Sequence, residues 1–122
     1  MFKLGANLIW VSDVARAKEW YEAVFGMVVG EYRPPEFLEM KLGDATFYIE
    51  AINDKRAPGL QHVAVGGRHT AVFVVENIQK VVEELRAKGV RVVVEPVQQY
   101  WGDWNAVIAD PDGNEFILDS AN

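Results

Sequence analysis

Apolar residues recur along the chain in two alternating rhythms, and the same succession of rhythms occurs twice. Val14, Ala17, Trp20, Tyr21, Val24 and Phe25 are spaced by three and four, which predicts an amphipathic helix with Asp13 as its N-cap and Gly26 as its left-handed stop. Residues 6–11 before it, and residues 27–32, 37–42 and 45–52 after it, read as strands, joined by Pro34-Pro35 and by Gly43-Asp44. In the second half Ile78, Val81, Val82 and Leu85 form the helical stripe and Gly89 ends it, with strands expected over 90–94, 104–109 and 114–119. The turn Asp110-Pro111-Asp112-Gly113 joins the last two, proline presetting φ at its second position and glycine accepting a positive φ. The run from Ala6 to Asp13 returns 63 residues later as His69 to Glu76, and Gly26 and Gly89 stand at the same offset. The prediction is therefore an α+β fold of two tandem βαβββ repeats in one domain, 1–122. Repeat one covers about 4–52, a linker with Pro58-Gly59 and Gly66-Gly67 covers about 53–67, and repeat two covers about 68–120. Within the linker, residues 62–65 are a possible short extended piece.

Composition narrows the function. Half of the 122 residues are hydrophobic and a quarter are charged, the balance of a globular domain able to bury a core. The absence of cysteine excludes disulfides and thiolate chemistry, and the N-terminus runs into a strand without a basic leader or apolar h-region. A cytoplasmic protein is expected. No apolar run approaches the roughly 18 residues needed to span a bilayer, so no membrane partner is expected. A formal charge of −6 without a cluster of Lys or Arg makes nucleic acid a poor partner. No Ser-His-Asp set or glycine-rich phosphate loop is present, which leaves acyl transfer and nucleotide hydrolysis without support.

Two stretches resemble the vicinal oxygen chelate superfamily, which includes glyoxalase I, bleomycin-resistance proteins, fosfomycin-resistance enzymes, extradiol dioxygenases and methylmalonyl-CoA epimerase. One is Val11-Ser12-Asp13-Val14 leading through Trp20-Tyr21 to Phe25-Gly26-Met27; the other is Trp101-Gly102 followed by Asp110-Pro111-Asp112-Gly113-Asn114. The resemblance covers nearly the whole chain. It implies half-sheets curled around a cup-like pocket with helices outside, and a divalent metal held by a ligand from the first and the last strand of each repeat. The first-strand ligand lies seven residues before the acid that opens the helix. That position is Ala6, before Asp13, in repeat one and His69, before Glu76, in repeat two. The last-strand ligand lies four residues after the turn glycine, which is Ile117, and the matching position of repeat one is Tyr48, with Glu50 two residues along the same face. Even with Glu50 admitted only two of four positions could coordinate, so no divalent metal or other cofactor is expected. His69 otherwise reads as a hydrogen-bonded core or pocket histidine, and His62 as a linker residue without a specific role.

Strand parity then assigns side chains to faces. Leu8 and Trp10 share the face of Ala6; Ala71 and Phe73 share that of His69. Phe37 and Glu39 join Tyr48 and Glu50, opposite Leu38, Met40, Phe47 and Ile49 on the helix-packed side. Trp104 and Ala106 are expected beside Ile117 and Asp119, with Phe116 and Leu118 facing the helix. The cup face so drawn gathers Trp10, Phe37, Tyr48, His69, Phe73 and Trp104, with Tyr100 and Trp101 at its rim. Such rings suit a flat aromatic or cationic small molecule. The expected function is metal-independent binding of that ligand, as in the bleomycin-resistance branch, by a symmetric homodimer. The alternative is a glyoxalase-like lyase, isomerase or dioxygenase in which His69 and Glu50 act as metal ligands or as an acid/base pair.

Overall fold

A computed structural model describes residues 1–53, 55–61 and 64–122. The chain divides into two compact units, Met1–Val65 and Gly66–Asn122, and the division falls inside the expected linker. Each unit is one βαβββ repeat, which makes the fold α+β as predicted. Of the extended piece expected over 62–65, His62 and Val63 lie outside the described residues, and Ala64 and Val65 join no strand.

The first unit contains β1 (Asn7–Val11), α1 (Val14–Phe25), β2 (Val28–Arg33), β3 (Phe37–Leu42) and β4 (Ala45–Ala51), with sheet order β1-β4-β3-β2. β1 runs parallel to β4, and the remaining pairs are antiparallel. Asp13 caps α1 by accepting the Arg16 amide at 3.1 Å. Gly26, at φ 68°, turns the chain into the left-handed region so that its amide reaches the Glu22 carbonyl. Val14, Ala17 and the fully enclosed Tyr21 pack against Ile9, Val11, Leu38, Met40, Phe47 and Ile49, the helix-facing set of the strands.

The second unit contains β5 (Gly67–Val74), α2 (Ile78–Ala87), β6 (Arg91–Gln98), β7 (Trp104–Ala109) and β8 (Asn114–Ser120), in sheet order β5-β8-β7-β6. α2 is capped by Asn77 and not by Glu76: Asn77 takes a left-handed φ of 52°, which asparagine tolerates, and accepts the Lys80 amide. Asn122 completes that end, its side chain accepting from Asn77 N and its carbonyl from Ile78 N. Ile78, Val82 and Leu85 of α2 lie over Phe73, Ala106, Ile108, Phe116 and Leu118. Neither helix is long and apolar enough to cross a membrane.

A buried polar knot holds the start of β8. Asp110 Oδ1 accepts the amides of Asp112 and Asn114 at 2.9 Å each, and Asp110 Oδ2 accepts from Asn114 Nδ2 at 2.9 Å. Asn114 Oδ1 in turn accepts from Gly66 N at 3.2 Å and meets His69 Nε2 at 2.9 Å. Both Asp110 and Asn114 are buried, so these bonds replace the water the groups gave up on folding.

Candidate functional site

In the first unit, β4 lies between β1 and β3, and its register sets the open face. Trp10 stands opposite Glu50, Leu8 opposite Tyr48, Phe37 opposite Glu50, and Glu39 opposite Tyr48. Trp10, Phe37, Tyr48, Glu39 and Glu50 therefore share the face away from α1, as parity predicted. The Gly43-Asp44 turn inserts two residues between the paired Leu42 and Ala45 and so preserves the phase. Phe37 and Tyr48 are tilted rings with centroids 5.3 Å apart. Much of this face lines a concavity of about 760 Å³, walled by Pro34, Pro35, Asn53, Lys55 and Arg56.

Lys55 and Arg56 fall in the stretch expected to be only a linker, yet they supply two cations of the site, beside Arg33 of β2. Asn53 closes a local turn, donating to Ala51 O and accepting from Lys55 N. Arg56 then reaches back over the sheet: its guanidinium carbon lies 4.8 Å from the Trp10 ring centroid, and its Nη2 pairs with Glu50 Oε1. The Arg56 side chain is 32% exposed and that of Glu50 is 17% exposed, so the pair is more shielded from water than an ordinary surface bridge. Arg33 sits 4.6 Å from the Phe37 centroid and 3.3 Å from Glu31, while Lys55 pairs with Glu36. Glu39 accepts the Glu31 amide beside Gly30, where an added Cβ would run into the Glu39 carboxylate. No periodicity marks Arg33 or Arg56; a cation beside an aromatic face is visible only once the chain is folded.

In the second unit the structure reverses the expected faces. Ala106 pairs with Leu118, Ile108 with Phe116 and Trp104 with Ser120, which puts Trp104 on the side of α2 and not beside Ile117. Phe73 pairs with Leu118 and meets Phe116 edge-on at 5.7 Å, and His69 stacks on Phe116 at 5.0 Å. His69, Phe73 and Trp104 thus belong to the covered face. The reason is turn length. Asp110 N donates to Asn114 O, and three residues, with Gly113 at φ 81°, lie between this pair. An odd loop of this kind shifts the parity by one relative to a four-residue loop.

The open face of the second unit is aliphatic at its centre, with Val72, Val107 and Ile117 in register. Arg68 bridges Glu115 at 2.8 Å and Asn105 donates to Asp119 at 2.7 Å on the same face. A hollow of about 180 Å³ lies over it, lined in part by Arg68, Val94, Val97 and Ile117. Tyr100 and Trp101 sit edge to face, 4.9 Å apart, in the turn between β6 and β7, both exposed.

Asp103, just before β7, shares a hydrogen bond with Asp119. That bond first, then lost solvation, then the charge of Asp119 hold the Asp103 carboxyl above its ordinary value. The folded state therefore binds this proton more tightly than the unfolded chain. The resulting stability is fully present below the ordinary carboxylate range and is lost as pH rises through the raised value. Asp119→Asn is expected to return Asp103 to an ordinary titration and to flatten this acid-side gain, read by carbon NMR of the carboxyl groups and by urea melts between pH 3 and 7.

The donor set bears on the metal implied by the resemblance. With Asn77 as the helix cap, the residue seven before it is Thr70, not His69. The four positions are then Ala6, Tyr48, Thr70 and Ile117, none of which offers imidazole or carboxylate. Among the described residues no group of three His, Cys, Asp or Glu comes together as metal ligands. These residues do not fit a divalent ion.

Comparison with known proteins gives the lineage. No curated protein sequence is significantly similar to the chain. Solved structures are similar in fold. A lactoylglutathione lyase from Agrobacterium tumefaciens superposes with a TM-score of 0.77 at 19% identity, over 97% of this chain and 92% of that one. A glyoxalase/bleomycin resistance protein/dioxygenase superfamily member from Sphaerobacter thermophilus gives 0.76 at 21%, over 98% of each. TioX from Micromonospora sp. gives 0.77 at 14%, over 98% of this chain and all of that one. The Glyoxalase/Bleomycin resistance protein/Dioxygenase family model matches residues 3–118, and since that span takes in both βαβββ repeats, the chain belongs to this superfamily.

Proposed function

We propose that the chain is a metal-independent binding protein for a flat aromatic or cationic small molecule, seated on the open face of the first unit. One observation carries the reading: Trp10, Phe37 and Tyr48 stand with Glu50 on one face of the sheet, Phe37, Tyr48 and Glu50 lining its concavity, and two arginines of the chain itself already lie over aromatic rings of that face. Indole and phenyl faces attract cations and stack planar groups, each good contact being worth about 1 kcal/mol or more when partly desolvated. His69, Phe73 and Trp104 drop out of the binding set because they lie on the covered face of their sheet. The reading extends to a cytoplasmic homodimer. A lyase, isomerase or dioxygenase built on His69 and Glu50 draws no support from His69, which is bonded to Asn114 and stacked on Phe116.

The test pairs calorimetry with NMR of the indole N–H groups across a panel of planar neutral and cationic compounds. A binder should shift the Trp10 resonance, and Trp10→Ala should weaken it about tenfold or more, the equivalent of roughly 1.4 kcal/mol. Metal analysis of the same protein, purified without chelator, should find no stoichiometric zinc, nickel, iron or manganese. A panel that leaves Trp10 unmoved, or one metal per chain, overturns the reading.

A further inference from the structure

The cation seat of the first unit is already filled by a side chain of the protein. We propose that Arg56 is a built-in competitor at this seat, and that the ligand is a planar amidinium- or guanidinium-type cation that displaces it. The inference rests on the binding role proposed above and names both the ligand chemistry and a control on its access.

Three observations converge on Arg56. Its guanidinium satisfies at once the two features a planar cation needs, an aromatic floor in Trp10, 4.8 Å from the centroid, and a carboxylate edge in Glu50. Those two partners belong to the rigid sheet, paired across β1 and β4. Arg56 belongs to neither strand: it follows β4 outside the sheet, held by the Asn53 side chain, which accepts from Lys55 N, and by Gln61 Nε2, which donates to Arg56 O at 3.0 Å. The seat is therefore preorganised and its occupant is tethered, so the occupant can leave while the seat stays in shape.

Charge sets the sign of the ligand. The concavity is lined by Glu31, Glu36, Glu39 and Glu50 against Arg33, Lys55 and Arg56. Arg33 is near Glu31, and Lys55 is paired with Glu36. When Arg56 swings out, Glu50 is left to the incoming group, which must then be cationic to replace the lost pair; an anion would meet an uncompensated carboxylate. Planarity follows from the indole floor, because a guanidinium or amidinium stacks flat while presenting paired N–H groups in its own plane.

The experiment uses the full chain and benzamidinium as probe, with benzoate as its anionic counterpart. Binding is measured by calorimetry and by the Trp10 indole N–H shift in the wild type, Arg56→Ala, Arg56→Gln and Arg56→Ala/Glu50→Gln. Both Arg56 variants should bind benzamidinium at least tenfold more tightly than the wild type. The added Glu50→Gln change should abolish that gain, and benzoate should gain nothing. Unfolding curves like that of the wild type would show the variants folded; two different substitutions guard against one failing. Equal affinities in the wild type and both Arg56 variants, with Trp10 still responding to other planar compounds, would overturn this inference and leave the binding role standing. A Trp10 signal that no compound moves in any variant would overturn both.

Discussion

Replacing Phe116 with alanine is expected to lower the unfolding free energy by about 3–5 kcal/mol, the usual cost of emptying a fully enclosed aromatic site. Phe116 is 0% exposed and stands on β8, an interior strand of its sheet. One side of its ring stacks on His69 and another meets Phe73 edge-on. Its register partner Ile108 is also wholly buried, so no flexible neighbour is placed to collapse into the space. Urea denaturation followed by tryptophan fluorescence should show the midpoint fall with little change in slope. Phe116→Leu, which keeps most of the volume, should cost clearly less. A loss under about 1 kcal/mol, ordinary for a surface change, would contradict this account of the second core.

The second large effect is expected at Asn114, where the cost is polar and not steric. Asn114→Leu removes the acceptor of Gly66 N and His69 Nε2 and the donor to Asp110 Oδ2. Each buried group left without its partner costs roughly 1–3 kcal/mol, so a loss of about 3 kcal/mol or more is expected. Asn114→Asp separates charge from shape. It keeps the acceptor oxygens but sets a second carboxylate against Asp110, which should raise the pKa of the new pair. The Asp variant should therefore be least stable near neutral pH and recover as pH falls through that raised value, whereas the Leu variant should show no such recovery. Parallel urea melts at pH 4 and pH 7 read the difference, and identical pH dependence in the two variants would contradict it.

The first repeat was legible in the sequence because its strands alternate cleanly. Leu38 and Met40 are apolar where Glu39 and Lys41 are charged, so one face declares itself as core, and the two-residue Gly43-Asp44 turn carries that phase across. The strands of the second repeat carry little such contrast. Val72 and Phe73, or Val107 and Ile108, are apolar on both faces. Phase there had to come from the repeat offset and from the turn, and each was wrong by one residue. α2 begins 64 residues after α1, not 63. It is also two residues shorter, 10 against 12, and so ends 62 residues after α1; Lys88 then stands before Gly89, so Gly26 and Gly89 are still 63 apart and conceal the slip. One residue of slip moves every side chain of a strand to the opposite face, which is how His69, Phe73 and Trp104 were assigned to the wrong side. Trp10, Phe37, Tyr48 and Glu50 keep their expected face because their placement uses no repeat offset and the one turn it crosses, Gly43-Asp44, has the expected two residues. Arg56 was invisible for a different reason: its contacts join an irregular segment to a sheet, and no local rhythm encodes them.

The Asn122 contact at the start of α2 bears on how the second unit would be degraded. Two of the amides that open the helix find their acceptors on this one residue, and Ser120 Oγ fixes it by bonds to Asn122 O and Oδ1 of 2.6 and 3.0 Å. A proteolytic cut that removes Asn122 would take away both acceptors together, and the first turn of α2 would be the first element to fray. Loosening there exposes Ile78, which is otherwise fully covered, and offers an endoprotease an extended, apolar stretch. Asn122 thus acts as a latch on the opening turn of α2, and through it on how readily the second unit is cut.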